Sequence, residues 1–251
     1  MTKPAPLTGL FLGAGASAEL GMPLVWQITR ELKTWLSPDK LRTYNRGWRE
    51  QGNGMADEVI EDFISFLMRP EMHYESLLGY LETCYRRPTP HRADYHHLYS
   101  WFVQMVSHLL RLRHTDLADD IARNIRFLKG IAELAKVNTP LWIFSLNHDL
   151  IVECIGAHYS LPLHSGFNNG EITFPRRNHS GAVIGTLRAE TLTAAQLESF
   201  IPFPSAGTKG INLLKIHGAL DIFTLRDGAD MALPAPGADS RRNPRDVTDC
   251  E

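Results

Sequence analysis

The chain has 251 residues, 43% hydrophobic and 22% charged, with 26 Lys and Arg against 28 Asp and Glu for a formal net charge of −2. That composition is globular and long enough for one large domain or two small ones, and it excludes a global basic field that would make nucleic acid the main ligand. Three widely separated cysteines, Cys84, Cys154 and Cys250, form no C-x-x-C pair, which excludes a disulfide framework and a four-cysteine zinc site and predicts a reducing, cytoplasmic setting.

Near the start stands "LTGLFLGAGASAELGMP", Leu7 to Pro23. Its short apolar run suits a buried parallel strand, and it ends in a cluster of small residues. A helix is predicted next, with apolar positions at Leu24, Ile28, Leu32 and Trp35. Nothing near the start resembles a signal peptide, and no apolar run reaches the roughly 18 residues of a membrane span. A polar, glycine-containing stretch from Ser37 to Gly54 is read as a separator. A helical block follows over about 57–135, its apolar residues recurring three and four apart, as in Val59, Ile60, Phe63, Ile64 and Leu67.

The strand signal returns at Leu141 to Leu146, with helix from Asp149 onward. Residues 164–210 read as loops and short strands, with a helix capped by Thr193 and Gln196. A third apolar strand starts near Ile211 and carries Lys215 and His217 towards its end. The expected fold is α/β, a Rossmann-like parallel sheet flanked by helices over residues 1–226, with the helical block as an inserted subdomain. The Pro-, Gly- and charge-rich residues 227–251 read as a flexible tail or a truncated continuation.

Ligands of open parallel sheets bind beyond the carboxyl ends of the strands. Here the three strong strand candidates end in Gly13-Ala14-Gly15-Ala16-Ser17, in Asn147-His148-Asp149 and in His217-Gly218. Each has a plain structural reading and a functional one. The glycines serve a tight turn, or they let the backbone approach a diphosphate at a helix start. Asn147 and Asp149 cap a helix, or they contact a ligand. His217 is a hydrogen-bonded core histidine, or it is a base, since imidazole changes charge close to neutral pH. The glycine run lacks the third glycine of G-x-G-x-x-G and the Lys of a Walker A loop.

Together the three motifs resemble the sirtuin superfamily of NAD-consuming enzymes. The family's G-A-G-x-S turn and following Gly-x-Pro are matched by Gly13, Ala14, Gly15, Ser17, Gly21 and Pro23. Its Asn-x-Asp is matched by Asn147 and Asp149, and its His-Gly by His217 and Gly218. The two zinc-binding C-x-x-C pairs of the deacylase members are missing, so the chain looks like the zinc-free, sirtuin-like domains of prokaryotic antiviral defence systems, which hydrolyse NAD.

The resemblance implies that Gly13, Ala14, Gly15, Ser17 and Pro23 contact NAD and that Asp149 holds the nicotinamide carboxamide. It implies catalytic roles for Asn147, at the ribose or the attacking water, and for His217 as general base. NAD is then a substrate, with no metal expected, and the partners implied are further copies of the chain or a nuclease, helicase or Argonaute-like protein. Neither a membrane nor direct nucleic-acid binding is indicated. Two alternatives stand beside this reading: a non-catalytic module that binds NAD or ADP-ribose or recruits a partner, and an NAD-dependent deacylase.

Overall fold

The computed structural model describes residues 9–167, 171–177, 180–192, 203–204, 206–220, 222–224 and 230–232. Two compact units divide the chain, one made of residues 1–22 and 112–251 and the other of Pro23–Arg111.

The first unit begins with strand β1 (Gly9–Leu12) and the single-turn helix α1 (Gly15–Ala18). The second holds α2 (Val25–Trp35), α3 (Pro38–Glu50), α4 (Asp57–Leu67), α5 (Tyr74–Arg86) and most of α6 (Arg92–Asp116). The first unit then resumes with α7 (Ala118–Asn124), a 3-10 turn over Ile125–Leu128, α8 (Lys129–Val137), β2 (Leu141–Ser145) and α9 (Ile151–His158). Strands β3 (Leu163–His164), β4 (Glu171–Arg177), β5 (Val183–Leu192), β6 (Ile211–Lys215), β7 (Ile222–Thr224) and β8 (Asp230–Ala232) complete it.

The α/β unit is built on a four-stranded parallel sheet in the order β1-β2-β6-β3, an arrangement compatible with a Rossmann-like fold. Alternation along each strand decides its faces. Leu141 and Ile143 of β2 and Ile211 and Leu213 of β6 point one way and pack with Ala135 of α8 and Val152 of α9 into a buried cluster. Each such aliphatic side chain contributes roughly 2 kcal/mol by leaving water. In-register pairing sets Leu12, Ser145 and Lys215 in one row at the carboxyl ends of β1, β2 and β6. A second, antiparallel sheet runs β4-β5-β8-β7.

The helical unit buries the residues that the three- and four-residue spacing selects: Phe63 of α4 lies edge-on to Phe102 of α6 with ring centroids 5.4 Å apart. Asn45 of α3 exchanges two hydrogen bonds with the main chain of Met55, at 3.0 and 2.9 Å. Among the described residues, no helix is long and apolar enough to cross a membrane.

Several local expectations are corrected. The stretch from Ser37 to Gly54, expected to be a separator, is largely α3: Pro38 stands at its start, where a missing N–H costs nothing, and Leu41 and Asn45 supply a buried face. The helix expected to follow the glycine run is two helices, because Gly21 adopts φ 92° and closes the first by donating to the Ala18 carbonyl at 2.9 Å. Within residues 227–251, read as a flexible tail or a truncated continuation, Asp230–Ala232 form β8, paired with both β5 and β7. The helix expected to be capped by Thr193 lies outside the described residues, as does most of 227–251.

One glycine is demanded by the sheet. Gly210 has φ 130°, and a Cβ there would stand 2.5 Å from the Pro162 carbonyl oxygen. Its own carbonyl accepts the Leu141 N–H at 3.0 Å. Gly210→Ala is expected to cost on the order of 2 kcal/mol or more, from backbone strain and the clash together. Urea unfolding of parent and variant measures it, and an unchanged midpoint would contradict the assignment.

Candidate functional site at the carboxyl ends of the parallel strands

Each strand of the Leu12, Ser145, Lys215 row continues into one of the polar motifs. Gly13 follows Leu12 directly, whereas Asn147 and His217 each stand two residues beyond the row. The main chain stays paired past the strands: Leu146 N–H donates to the Leu12 carbonyl and Ile216 N–H to the Ser145 carbonyl, both at 2.9 Å.

Asn147 is buried, and its side-chain amide donates to the Gly13 carbonyl and to Ser17 Oγ, both at 3.0 Å. Its own N–H donates to Ser145 Oγ at 3.1 Å. The glycine turn and the Asn-x-Asp segment are thus one hydrogen-bonded unit, with Ser17, 2% exposed, inside it. Both N–H donors of the Asn147 amide are engaged by protein, so what it can offer a ligand is its carbonyl oxygen. Asp149 is also buried, and its Oδ1 accepts the Ile151 N–H at 3.1 Å at the start of α9. From one residue before the N-cap, Leu150, Asp149 thus satisfies a free amide of the helix start, with its second carboxylate oxygen in excess of that bond.

Glycine at 13 and 15 has a different explanation from glycine at 21. Gly21 needs its left-handed φ, and a Cβ there would touch Leu117 at 3.4 Å. Gly13 and Gly15 have no positive φ, and a Cβ on either would meet nothing within 4 Å among the described residues. Neither backbone conformation nor packing against the described residues requires glycine at these two positions. What its absence of a side chain provides is open space over the turn. The Ala16 and Ser17 amides close back on the Gly13 and Ala14 carbonyls at 2.9 and 3.2 Å.

His217 is exposed, and its ring lies 6.4 Å from that of His148. Gly218 after it takes φ 84°, a conformation that favours glycine. Pro23 belongs to the helical unit and takes no part in these hydrogen bonds.

Four further side chains, not predicted as site residues, lie close to the motifs. Lys215 and Glu153 form an ion pair at 3.2 Å with side chains 5% and 3% exposed. His114, also buried, accepts the Leu150 N–H on Nε2 at 3.0 Å, which makes its imidazole the neutral Nδ1–H tautomer. Burial lowers its pKa to about 4 against the opposing pull of Asp149, with Lys215 adding to the depression. Cys154 is held inert: burial and then the carboxylates of Glu153 and Asp149 push its thiol up to about 12, which removes a thiolate nucleophile. Among the described residues, no three His, Cys, Asp or Glu side chains gather as a metal would require.

Comparison with protein-family models and with curated proteins finds no match to this chain.

The His114 acceptor makes folding pH-dependent with a definite sign. Between about pH 6.5 and 4 the unfolded histidine takes a proton that the folded one refuses. Stability is therefore fully present above that window and falls as pH drops through it, by on the order of 3 kcal/mol for a shift of this size. His114→Gln keeps an acceptor that does not titrate. Urea unfolding at pH 4.5, 5.5 and 7 is expected to show a shallower loss in the variant than in the parent; equal slopes would contradict the role given to His114.

Proposed function

We propose that the chain is a sirtuin-like NAD glycohydrolase that cleaves NAD with water to nicotinamide, ADP-ribose and a proton. The observation that carries this reading is the pair of hydrogen bonds from Asn147 to Gly13 and Ser17. They draw two motifs 130 or more residues apart in the chain into one buried unit, beside the strand end that bears His217.

The chemistry asks little of acid catalysis, because nicotinamide leaves as a neutral molecule from a cationic ground state. It asks instead for an ordered dinucleotide, stabilisation of an oxocarbenium-like ribose and a water delivered to it. The open space over Gly13 and Gly15 suits the diphosphate. Since the Ala16 and Ser17 amides are engaged within the turn, the amides that would meet the anion are those ahead of them, at Ala14 and Gly15. The Asn147 carbonyl oxygen faces the ribose or its water, and the second oxygen of Asp149 accepts from the nicotinamide carboxamide. His217, exposed at its strand end, takes the proton from water or a ribose hydroxyl.

On the same resemblance, NAD depletion would serve antiphage defence. The helical unit would then be an insertion in the NAD-cleaving domain, and the assembly would be a homo-oligomer or a complex with a nuclease, helicase or Argonaute-like partner. One observation favours a second reading, a module that binds NAD or ADP-ribose without turnover. With both amide donors engaged by protein, Asn147 brings only its carbonyl oxygen to the sugar.

Mass spectrometry of NAD incubated with the purified chain separates these readings. The parent is expected to release nicotinamide and ADP-ribose, and His217→Ala and Asn147→Ala to lose about 100-fold or more of that rate with unchanged circular dichroism. Turnover by both variants at the parent rate would overturn the assigned roles, and binding without nicotinamide release would select the second reading. Gly15→Ala sharpens the test: filling the open space is expected to weaken NAD binding about 10-fold or more while leaving stability within ~1 kcal/mol. Equal NAD affinity in Gly15→Ala and parent would remove the diphosphate from this turn.

A further inference from the structure

Lys215 ends β6 in the row with Leu12 and Ser145, and its side chain is almost fully enclosed. An ammonium has three N–H donors and no acceptor, so its surroundings reveal its task. Here three oxygens meet it: Glu153 Oε1 at 3.2 Å, the Asn147 main-chain carbonyl at 3.3 Å, and the Asp149 main-chain carbonyl. A lysine present only to neutralise Glu153 would need the first of these. The other two are the carbonyls of the residues whose side chains form the site.

Those contacts fall into a pattern along the loop. The carbonyl between them, that of His148, accepts the Leu220 N–H at 3.0 Å. Three consecutive carbonyls are therefore held by two residues that flank His217-Gly218 in sequence. With its carbonyls drawn towards Lys215 and Leu220, the loop presents the Asn147 amide to the β1 turn and the Asp149 carboxylate to the Ile151 N–H. His114 secures the remaining side of the turn through the Leu150 N–H. The charge on Lys215 is faced by Glu153, by Asp149 and by the neutral imidazole of His114.

We infer that Lys215 is a positioning residue that clamps the Asn147–Asp149 loop to the His217 strand end, with Glu153 present to make a buried ammonium tolerable. What is positioned rests on the NAD-cleaving reading; that the loop is clamped does not. Removing Lys215 alone would take the Lys215 charge away from buried Glu153, a change that can unfold the protein for reasons unconnected with the loop. The informative variant of the full chain is therefore Lys215→Met with Glu153→Gln, which removes both charges while keeping an unbranched apolar stem at 215 and an isosteric side chain at 153.

Two readouts are taken on it. Amide hydrogen exchange is expected to show at least about 10-fold lost protection at Leu150 and Ile151, with the amides of β2 and β6 unchanged. NAD cleavage is expected to show kcat reduced about 10-fold or more with KM within about threefold, because the side chains are misaimed while the diphosphate turn remains. Parent-like protection of the loop together with parent-like kcat would overturn the inference and reduce Lys215 to a counter-charge. If the parent itself releases no nicotinamide, the functional reading fails, and the exchange measurement still decides for or against the clamp.

Discussion

The in-register pairing of β1, β2 and β6 is the constraint on which the site depends. Parallel strands that start together also end together, so Leu12, Ser145 and Lys215 fall in one row and the residues after them leave the sheet side by side. The core fixes this register: a slip of one residue would turn Ile143 and Leu213 out of the cluster they form with Ala135 and Val152. Hydrophobic packing on one face of the sheet thereby determines which polar groups meet at its edge.

What meets there is a buried polar network, and such networks are stable only when their members are satisfied. The three carbonyls of residues 147 to 149 have donors, the N–H groups of Asn147, Leu150 and Ile151 have acceptors, and the Asn147 amide has two. A loop held at so many points has little freedom to rearrange when a ligand arrives. That is a cost for an unneeded polar cluster in a hydrophobic setting and an advantage for a site that must aim side chains at one bond. The space over Gly13 and Gly15 points the same way, since nothing among the described residues calls for glycine at either position.

The strands and their motifs were legible in the sequence because each is local: a bounded apolar run followed by residues rare at strand ends. So were α4, α5 and most of α6, through their apolar spacing. The α3 helix was hidden, because its composition is polar and only Leu41 and Asn45 are buried along it. Gly21 was legible as a motif residue but not as a helix stop, since a left-handed φ leaves no mark beyond the glycine itself. β8 depends on pairing with β5 and β7, which no local pattern encodes. At the site, Lys215 stood out only as a polar residue at a strand end, Glu153 looked like an ordinary charge, and nothing marked His114 at the end of a helical stretch. Only the fold brings these three beneath one loop.

The central claim is that one dinucleotide-binding, sugar-cleaving site lies across the ends of β1, β2 and β6. A crystal structure of the chain with ADP-ribose, the product of the proposed reaction, tests it most directly. The account predicts the diphosphate within hydrogen-bond reach of the Ala14 and Gly15 amides, with the terminal ribose between Asn147 and His217. ADP-ribose bound elsewhere, with the Gly13 to Ser17 turn facing only solvent, would contradict it.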